Sequence, residues 1–462
     1  MERFQDRMNG EAVSMNRAVD LGSQMFSTTN SISSEAPPSI VAQELIDWII
    51  DWVAILDPAS LPACSLVSRD WVYRSQHHIH CSIAIDIDQR SGRIPFDMYS
   101  TGVAGLVKHV KIYGLSAMPQ AWPMKEGDCA DAIIRIIICR LYNLERLSLH
   151  GFEAKTHGYT SHSCSTSPTY HTMNVPSVRA VVLEASHFDT LDTLLTFISS
   201  FPQLESLEMS DVSLFDPANS DKVNNGQKST LNYLSSEQYP FPGKNIRFLS
   251  LRLGPRYMLD KAAQSYIVIA EALAKHRPSS FHLRCPILAD LLSAVLPLLA
   301  PFLDKLTLTT WYMSNASGSS DTGISMASNL SHIIFEDLTH NVAHASPYYA
   351  HWIPLILSQI TSTRLRTITF KGWPSTREKD LAILEPSKID DVLYRTPAFG
   401  RLEEVRIILF RRQVVQSPTF DASIFSRLIS PIHDAHPPQL AEAIRRAFPL
   451  MAARGILRVV YE

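Results

Sequence analysis

The sequence predicts an α/β protein in which a short N-terminal helical motif precedes an irregular solenoid of parallel strands with outer helices. One observation behind this expectation is a strongly apolar helical stretch at 44–56. A second is a short strand-like pattern that returns ten times beyond residue 100. Hydrophobic residues make up 45% of the 462 residues and charged residues 19%, so the chain has enough apolar material for an extended core.

The recurring pattern reads apolar-x-x-apolar-x-apolar, and the alternation at its end is typical of a strand with one buried face. Its register is set by the second and third positions, yet the first position is also aliphatic in nine of the ten copies. The copies are Val107/Val110/Ile112, Leu144/Leu147/Leu149, Val178/Val181/Leu183, Leu204/Leu207/Met209, Ile246/Leu249/Leu251, Pro278/Phe281/Leu283, Leu303/Leu306/Leu308, Leu365/Ile368/Phe370, Leu402/Val405/Ile407 and Ile456/Val459/Tyr461. We therefore predict one strand at each copy.

Helical stretches lie between many of these copies, at 130–142, 191–201, 261–275, 287–299, 352–360 and 441–453. Strands separated by crossover helices at intervals of 25 to 62 residues resemble a leucine-rich-repeat solenoid, which has one parallel strand per repeat. The intervals are uneven and the Asn/Cys ladder position is missing, so the array is degenerate. A doubly wound α/β sheet is the alternative architecture. The phosphate-binding turns G-x-G-x-x-G and G-x-x-x-x-G-K are absent, which removes the usual nucleotide function of that fold.

Polar segments interrupt the array at 153–174, 215–243 and 313–331. They are rich in Ser, Thr, Asn and Gly, and we expect them to be mobile surface loops.

Residues 1–36 combine charged residues with a Ser/Thr-rich run and lack the apolar core of a signal peptide. We expect a disordered tail there.

The apolar stretch at 44–56 carries ten apolar residues among thirteen. Its polar positions, Glu44, Asp47 and Asp51, have the spacing i, i+3, i+7 and therefore share one narrow stripe of a helix. A helical core of about 40 residues is too small to bury apolar side chains around most of this helix. We therefore expect the rest of the chain or another protein to cover part of it.

Two further helices are expected after this one. Asp57 and Pro58 end the first helix, Ser60 is placed to cap the second, and Pro62 falls in the first turn of the second, where its missing N–H costs nothing. Apolar residues at three- and four-residue spacing continue into a third helix that ends near His80.

The residues of this motif follow a distinctive order. It runs Glu44-Leu45-Ile46, Ile49-Ile50-Asp51, a short Asp-Pro-Ala-Ser loop, and then Leu61-x-x-Cys64-Ser65-Leu66-Val67-Ser68-x-x-Trp71. This order resembles an F-box, in the form common in the large fungal F-box families. The resemblance covers residues 37–83 of the 462.

The resemblance implies a function. In that family the motif binds the small adaptor subunit of SCF-type cullin–RING ubiquitin ligases, and the following domain brings in the substrate. Family members usually carry Leu-Pro two residues before the Glu-Leu pair, where this chain has Val41-Ala42. By the resemblance, the adaptor-binding residues would be Val41, Ala42, Glu44, Leu45, Ile46, Ile49, Ile50, Leu61, Cys64, Val67 and Trp71.

The expected organisation is a tail at 1–36, an F-box-like motif at 37–83 and a leucine-rich-repeat-like α/β domain at 84–462 that binds the target protein. In a solenoid, the residues that alternate with the buried ones line the concave face, where such proteins usually bind. The candidate target-binding residues are Lys111, Tyr113, Arg146, His150, Phe248, Arg252, Arg284, Lys371 and Arg406. Their mixture of charged and aromatic side chains fits a protein partner, and a merely solvated sheet face is the alternative.

The sequence gives little support for metal binding or catalysis. His77-His78-x-His80-Cys81 falls at the end of the third helix, where F-box families tolerate basic and polar residues. The group His157/His162/Cys164/His171 has a spacing unlike that of common zinc modules. His340 and His344 have helical i, i+4 spacing but lack the Glu of a zincin. Gly-x-Ser-x-Gly is absent too. We therefore expect no metal, no cofactor and no active site.

Composition narrows the partners and the compartment. A net charge of −3 argues against nucleic acid as the main partner. No segment approaches the roughly 18 uninterrupted apolar residues of a membrane span. The six cysteines include no Cys-x-x-Cys pair, so we expect reduced thiols in the cytoplasm or nucleus. A non-catalytic leucine-rich-repeat scaffold with a decayed F-box is the alternative function, and an unrecognised enzyme is a third.

Overall fold

The computed structural model describes twelve parts of the chain. They are residues 43–86, 101–113, 141–154, 175–214, 246–253, 260–285, 288–310, 322–336, 338, 352–372, 385–409 and 437–461. The chain forms two compact units, Met1–Gln76 and His77–Glu462. We call the described part of the first the helical unit (43–76) and the second the sheet unit (77–462).

The helical unit contains the three predicted helices. They are α1 (Gln43–Leu56), α2 (Leu61–Cys64) and α3 (Arg69–Cys81), with a 3-10 turn at Pro58–Ser60 before α2, and α3 continues past residue 76. Pro62 lies in the first turn of α2, as expected. The expected cap is wrong, because the Ser60 hydroxyl donates to the Asp57 carboxylate at 2.5 Å and caps no backbone N–H of α2.

The sheet unit is built on an open sheet of twelve parallel strands. They follow chain order: β1 (Ser82–Asp86), β2 (His109–Tyr113), β3 (Arg146–His150), β5 (Ala180–Glu184), β7 (Ser206–Ser210), β9 (Phe248–Arg252), β10 (Ser280–Cys285), β11 (Lys305–Thr310), β12 (His332–Glu336), β13 (Thr367–Lys371), β14 (Glu404–Leu409) and β15 (Leu457–Tyr461). A doubly wound sheet reverses its strand order at a switch point. This sheet does not reverse, so that alternative is wrong and the arrangement is solenoid-like.

All ten predicted strands are present, and the structure adds two. The first, β1, begins at Ser82, so the expected domain boundary after residue 83 falls inside a strand. The second, β12, was missed although Leu330/Ile333/Phe335 fits the recurring pattern, and all three of these side chains are buried.

Three two-residue strands form a second, smaller parallel sheet: β4 (Glu153–Ala154), β6 (His187–Phe188) and β8 (Ser213–Leu214). Each follows a strand of the main sheet after a left-handed residue, namely Gly151, Ala185 and Asp211. Positive φ at these turns lets the chain leave one sheet and enter the other within three residues.

The remaining described helices of the sheet unit are α4 (Thr101–Ala104), α5 (Leu191–Ser199), α6 (Asp260–Ala274), α7 (Leu288–Leu299), α8 (Trp352–Gln359), α9 (Pro386–Arg395), α10 (Pro437–Ala447) and α11 (Pro449–Ala453). The predictions at 191–201, 261–275, 287–299 and 352–360 are confirmed. Most of the stretch at 130–142 lies outside the described residues, and α9 was missed. The helix expected at 441–453 is two helices, because Phe448 is non-helical before Pro449, which begins α11.

One hydrophobic core lies between the helices and one face of the sheet. Strand residues such as Leu149 and Leu283 pack in the same buried cluster as Phe197, Tyr266 and Leu296 from the helices. Burying one large apolar side chain contributes about 1.5–3 kcal/mol, so this face is a main source of stability. The other face, which we call the open face, carries the alternating residues of each strand.

A ladder of backbone hydrogen bonds joins successive turns where the strands begin. The N–H groups of Glu145 and Arg146 both donate to the Lys108 carbonyl, and those of Arg179 and Ala180 donate to the Glu145 carbonyl. The same pattern recurs at later turns. The residues at the accepting position alternate in charge over five turns: Lys108, Glu145, Arg179, Glu205 and Arg247.

Neighbouring members of this column attract one another. The Lys108 ammonium lies 2.9 Å from the Glu145 carboxylate. The hydrogen bond from Lys108 is the main cause of the lowered pKa of Glu145. At a spacing of about 4.8 Å between strands, like charges in one column would repel, so the alternation favours the native register.

The insertion expected at 313–331 is ordered over its second part. Ile324, Ala327 and Leu330 are buried in the main core, and a 3-10 turn covers Ile324–Met326. Gly323 begins this turn with φ of +71°, and a Cβ there would lie 2.5 Å from Cγ of Pro297 in α7. The expectation of a mobile loop is wrong for 322–331, because apolar residues anchor it.

We predict that Gly323→Ala destabilises the sheet unit by at least about 1–2 kcal/mol, which is the cost of a left-handed alanine before the contact with Pro297 is added. Gly400→Ala is the matched control, since no atom lies within 4 Å of its added Cβ. It should change stability by less than about 0.5 kcal/mol. Chemical denaturation measures both variants, and equal midpoints would contradict the close approach.

Candidate functional site

The first helix divides its side chains between a buried side and an exposed side. Ile46 and Ile50 of α1 are buried, as is Leu61 of α2. These three of the predicted adaptor-binding residues therefore belong to the interior. Leu45, Ile49 and the carboxylate residue Glu44 are exposed.

The exposed side of α1 is one continuous apolar face. Its members recur at three- and four-residue spacing, which places them on one side of a helix, and each keeps at least 42% of its surface exposed. We call them the apolar face of α1: Leu45, Trp48, Ile49, Trp52, Ile55 and Leu56. The Trp48 and Trp52 rings contact each other edge to face, with centroids 6.1 Å apart. Soluble chains rarely expose such a contiguous patch unless it binds something.

Within the acidic stripe, Asp51 contacts α3, whereas Glu44 is exposed. The Arg74 guanidinium donates to both carboxylate oxygens of Asp51, at 2.7 Å each. This hydrogen bonding is the main cause of the raised pKa of Arg74. Gln43 donates to the Asp47 carboxylate and to the Asp70 carbonyl. Burial of Ile46 and Ile50 and the pairing of Asp51 with Arg74 together orient α1, and the apolar face of α1 remains exposed.

The segment after α1 adds to the exposed apolar surface. Leu66, Val67 and Tyr73 are exposed, whereas Cys64 is half-buried. Trp71, another of the predicted adaptor-binding residues, is half-buried. Part of the large Trp71 ring is exposed, so Trp71 contributes both to the interior of the helical unit and to its surface.

The sequence-based set of adaptor residues and the exposed surface overlap in part. Val41 and Ala42 lie outside the described residues. The prediction missed Trp48, Trp52, Ile55, Leu56, Leu66 and Tyr73, which are exposed. The four from α1 could have been found, because they share one side of the helix with Leu45 and Ile49, which the prediction named.

The open face of the sheet is the second candidate surface. The register places every predicted target-binding residue on it, because each alternates with core residues: Lys111, Tyr113, Arg146, His150, Phe248, Arg252, Arg284, Lys371 and Arg406. It therefore brings together residues that are far apart in the sequence.

Carboxylates on this face link cations from different strands. Glu208 lies 3.0 Å from an Arg146 nitrogen and 3.6 Å from an Arg252 nitrogen. Glu336 lies 3.2 Å from the Lys371 ammonium. The side chains are held in fixed positions, which suits a binding surface better than free, mobile charges would.

At the centre of the open face lies a buried histidine. The Nε2 atom of His282 lies 2.9 Å from the Thr309 hydroxyl and 3.6 Å from Glu336, and Nδ1 lies 3.4 Å from the Ser250 hydroxyl. Ser250 is fully buried. A substrate could not reach its hydroxyl without opening the face, so this Ser/His/Glu arrangement is not poised for nucleophilic attack.

An aromatic group occupies the N-terminal part of the open face. The Lys111 ammonium lies 4.9 Å from the centre of the Tyr113 ring, and the Tyr113 and His150 rings are 5.8 Å apart. A hydrogen bond with Tyr113 is the main cause of the raised pKa of Lys111. Lys111 also lies 3.7 Å from Glu184, so it remains a charged contact group at neutral pH.

Within the parts of the chain that the structure describes, no three or more His, Cys, Asp or Glu side chains are grouped as metal ligands would be. The clusters at 157–171 and 340–344 lie outside those parts. Over the same residues, no helix combines the length and the hydropathy that crossing a membrane requires.

No protein-family model matches the chain, and no curated protein matches it either.

We predict that Arg74→Met loosens the helical unit, because it leaves the half-buried Asp51 carboxylate without its bidentate partner. The expected cost is about 1 kcal/mol, modest because the pair is partly exposed. Hydrogen exchange of the α1 amides measures it locally and should accelerate about fivefold. The double variant Asp51→Leu/Arg74→Met should recover most of the protection. Unchanged exchange in the single variant would contradict the orienting role.

Proposed function

We propose that this chain is the substrate-receptor subunit of an SCF-type cullin–RING ubiquitin ligase. In this proposal the helical unit is an F-box that binds the adaptor subunit, and the sheet unit binds the target protein. Such a receptor would act in the cytoplasm or the nucleus. It would supply no catalytic group of its own.

The apolar face of α1 is the observation that carries the proposal. Helices dock on partners through apolar anchors at i, i+3, i+4 and i+7, and Leu45, Trp48, Ile49 and Trp52 have this spacing. Tryptophan residues are enriched at the energetic centre of interfaces. An adaptor that covered this face would remove a large apolar patch from water.

The sheet unit supports the second half of the proposal. We interpret it as a degenerate leucine-rich-repeat domain, since each turn adds one parallel strand in chain order. Leucine-rich repeats carry Asn or Cys three residues after the last core residue of each strand. Here the described residues at this position are Phe152, Ser186, Val212 and Leu338, and all of them are buried. Apolar packing and the small sheet β4-β6-β8 would replace the polar ladder there.

The mechanism follows from the two surfaces. A receptor that holds its target near a ubiquitin-loaded enzyme converts an encounter between separate molecules into a reaction within one complex. The effective concentration of the target then reaches about the millimolar range for a short connection. The helical unit would attach the chain to the adaptor, and the open face would select the target protein.

We predict that Ile49→Asp in the full-length chain weakens binding to the purified adaptor subunit at least about tenfold, because a charge would be desolvated at the centre of the interface. Leu355→Asp on α8 is the matched control. Leu355 and Ile49 are both aliphatic, both lie on helices and are both 42% exposed. The control should bind like the unmodified chain, and thermal melting should be the same for both variants.

Two outcomes would overturn the proposal. One is equal adaptor binding by the Ile49→Asp and Leu355→Asp proteins. The other is failure of the unmodified chain to bind adaptor at tens of micromolar, about the weakest affinity useful for assembly. In the second case the motif has lost adaptor binding through the departure at Val41-Ala42, and the chain would be a non-catalytic scaffold and not a ligase subunit.

A further inference from the structure

The open face has an excess of positive charge, although the whole chain carries a net charge of −3. Its eight described cations are Lys111, Arg146, Arg252, Arg284, Lys305, Lys371, Arg406 and Arg458. Its five described carboxylates are Asp86, Glu184, Glu208, Glu336 and Glu404. A concave surface that concentrates one sign of charge attracts a partner of the opposite sign.

The imbalance is greatest at the middle of the sheet. On the open face, strands β9, β10 and β11 carry Arg252, Arg284 and Lys305, and no described carboxylate. Among the described residues of the open face, the next carboxylates in strand order are on the flanking strands β7 and β12. Glu208 is shared with Arg146 at 3.0 Å, and Glu336 is shared with Lys371 at 3.2 Å.

Arg252 and Arg284 lie side by side. They are register partners on neighbouring strands, whose separation is about 4.8 Å. Like charges in directly paired positions destabilise a sheet. Carboxylates and phosphates both match the planar fork of arginine, so an anionic group of a ligand would be attracted to this pair.

Arg252 has unused hydrogen-bonding capacity. Its terminal nitrogen lies 3.6 Å from Glu208, beyond the length of a good hydrogen bond. Its Nε atom is buried and has no hydrogen-bond partner among the residues that the structure describes. A ligand could therefore reach only the terminal nitrogens of this side chain, which is 37% exposed.

Buried polar side chains accompany the cations on this face. Ser250, His282, Thr307 and Thr309 lie on the same three strands as Arg252, Arg284 and Lys305. The hydrogen bond between His282 and Thr309 ties β10 to β11. Because these groups are already held in place, binding an anion near them would cost little ordering entropy.

We propose that strands β9–β11 of the open face bind an acidic segment of the target, one that carries several carboxylate or phosphate side chains, through Arg252 and Arg284. This inference rests on the proposed receptor function and defines the chemical class of its target. The charge surplus and the register pair favour an anionic peptide over an apolar or basic one.

The test measures fluorescence anisotropy of labelled ten-residue peptides with the full-length chain. The probes are decaglutamate, a peptide of alternating phosphoserine and glycine, and decalysine. We expect the anionic probes to bind, with affinity falling as salt rises, and decalysine not to bind. The anionic probe that binds with the higher affinity shows whether the site prefers carboxylate or phosphate groups.

The decisive variant is Arg252→Glu/Arg284→Glu, which should lose at least about tenfold in affinity for the anionic probes. Arg364→Glu/Arg401→Glu is the matched control, since both arginines are exposed at the edge where the strands begin. It makes the same change in net charge and should alter affinity less than about twofold. Arg252→Gln/Arg284→Gln, a milder change, should show an intermediate loss, and melting curves confirm that each variant is folded.

Several results would overturn the inference. They are absence of binding by both anionic probes at about 100 μM, equal losses in the two charge-reversal variants, binding of decalysine, and tighter binding of a single-stranded DNA decamer than of either peptide. Adaptor binding is measured on the same preparations. Lost peptide binding with adaptor binding intact would overturn this inference alone, and the reverse result would overturn the receptor function alone.

Discussion

The sheet unit depends on one constraint, the repeated parallel register that starts every strand at the same edge. A parallel strand can follow its neighbour only after the chain has crossed back over one face of the sheet. Once the register is fixed, the alternate side chains of each strand point to the covered face and the rest to the open face. The core, the open face and the ion pairs across strands all follow from that choice.

The edge where the strands begin shows how the register is held. Paired N–H groups of one turn converge on a single carbonyl of the turn before, and the side chains at this position alternate in sign from Lys108 to Arg247. A slip by one residue would move every core side chain of a strand to the opposite face. Backbone geometry and charge therefore favour the same pairing, and the sheet tolerates crossover segments of unequal length.

The helical unit buries only part of its apolar residues. Ile46 and Ile50 of α1 are inside and Asp51 binds Arg74, but the apolar face of α1 remains outside. Such an arrangement is unfavourable for an isolated domain and favourable for a subunit. The proposed adaptor would remove the unfavourable exposure, and the open face would remain available to a target. The two surfaces lie on different compact units, so each can be altered by mutation without the other.

Much of this protein was determined by the sequence alone. Ten strands could be located because burial of every second residue must be encoded in residue type, and an apolar excess on α1 is visible for the same reason. Residues 322–331 were expected to form a loop and β12 was missed, because polar residues before them concealed the apolar pattern of Leu330, Ile333 and Phe335. These side chains are ordered only by packing against α7 and the neighbouring strands. The tertiary structure also decided which side of α1 faces out, because that depends on how Ile46 and Ile50 are buried and on Arg74, 23 residues away from Asp51. It alone placed Arg252 beside Arg284, since residues on neighbouring strands become adjacent only through the fold.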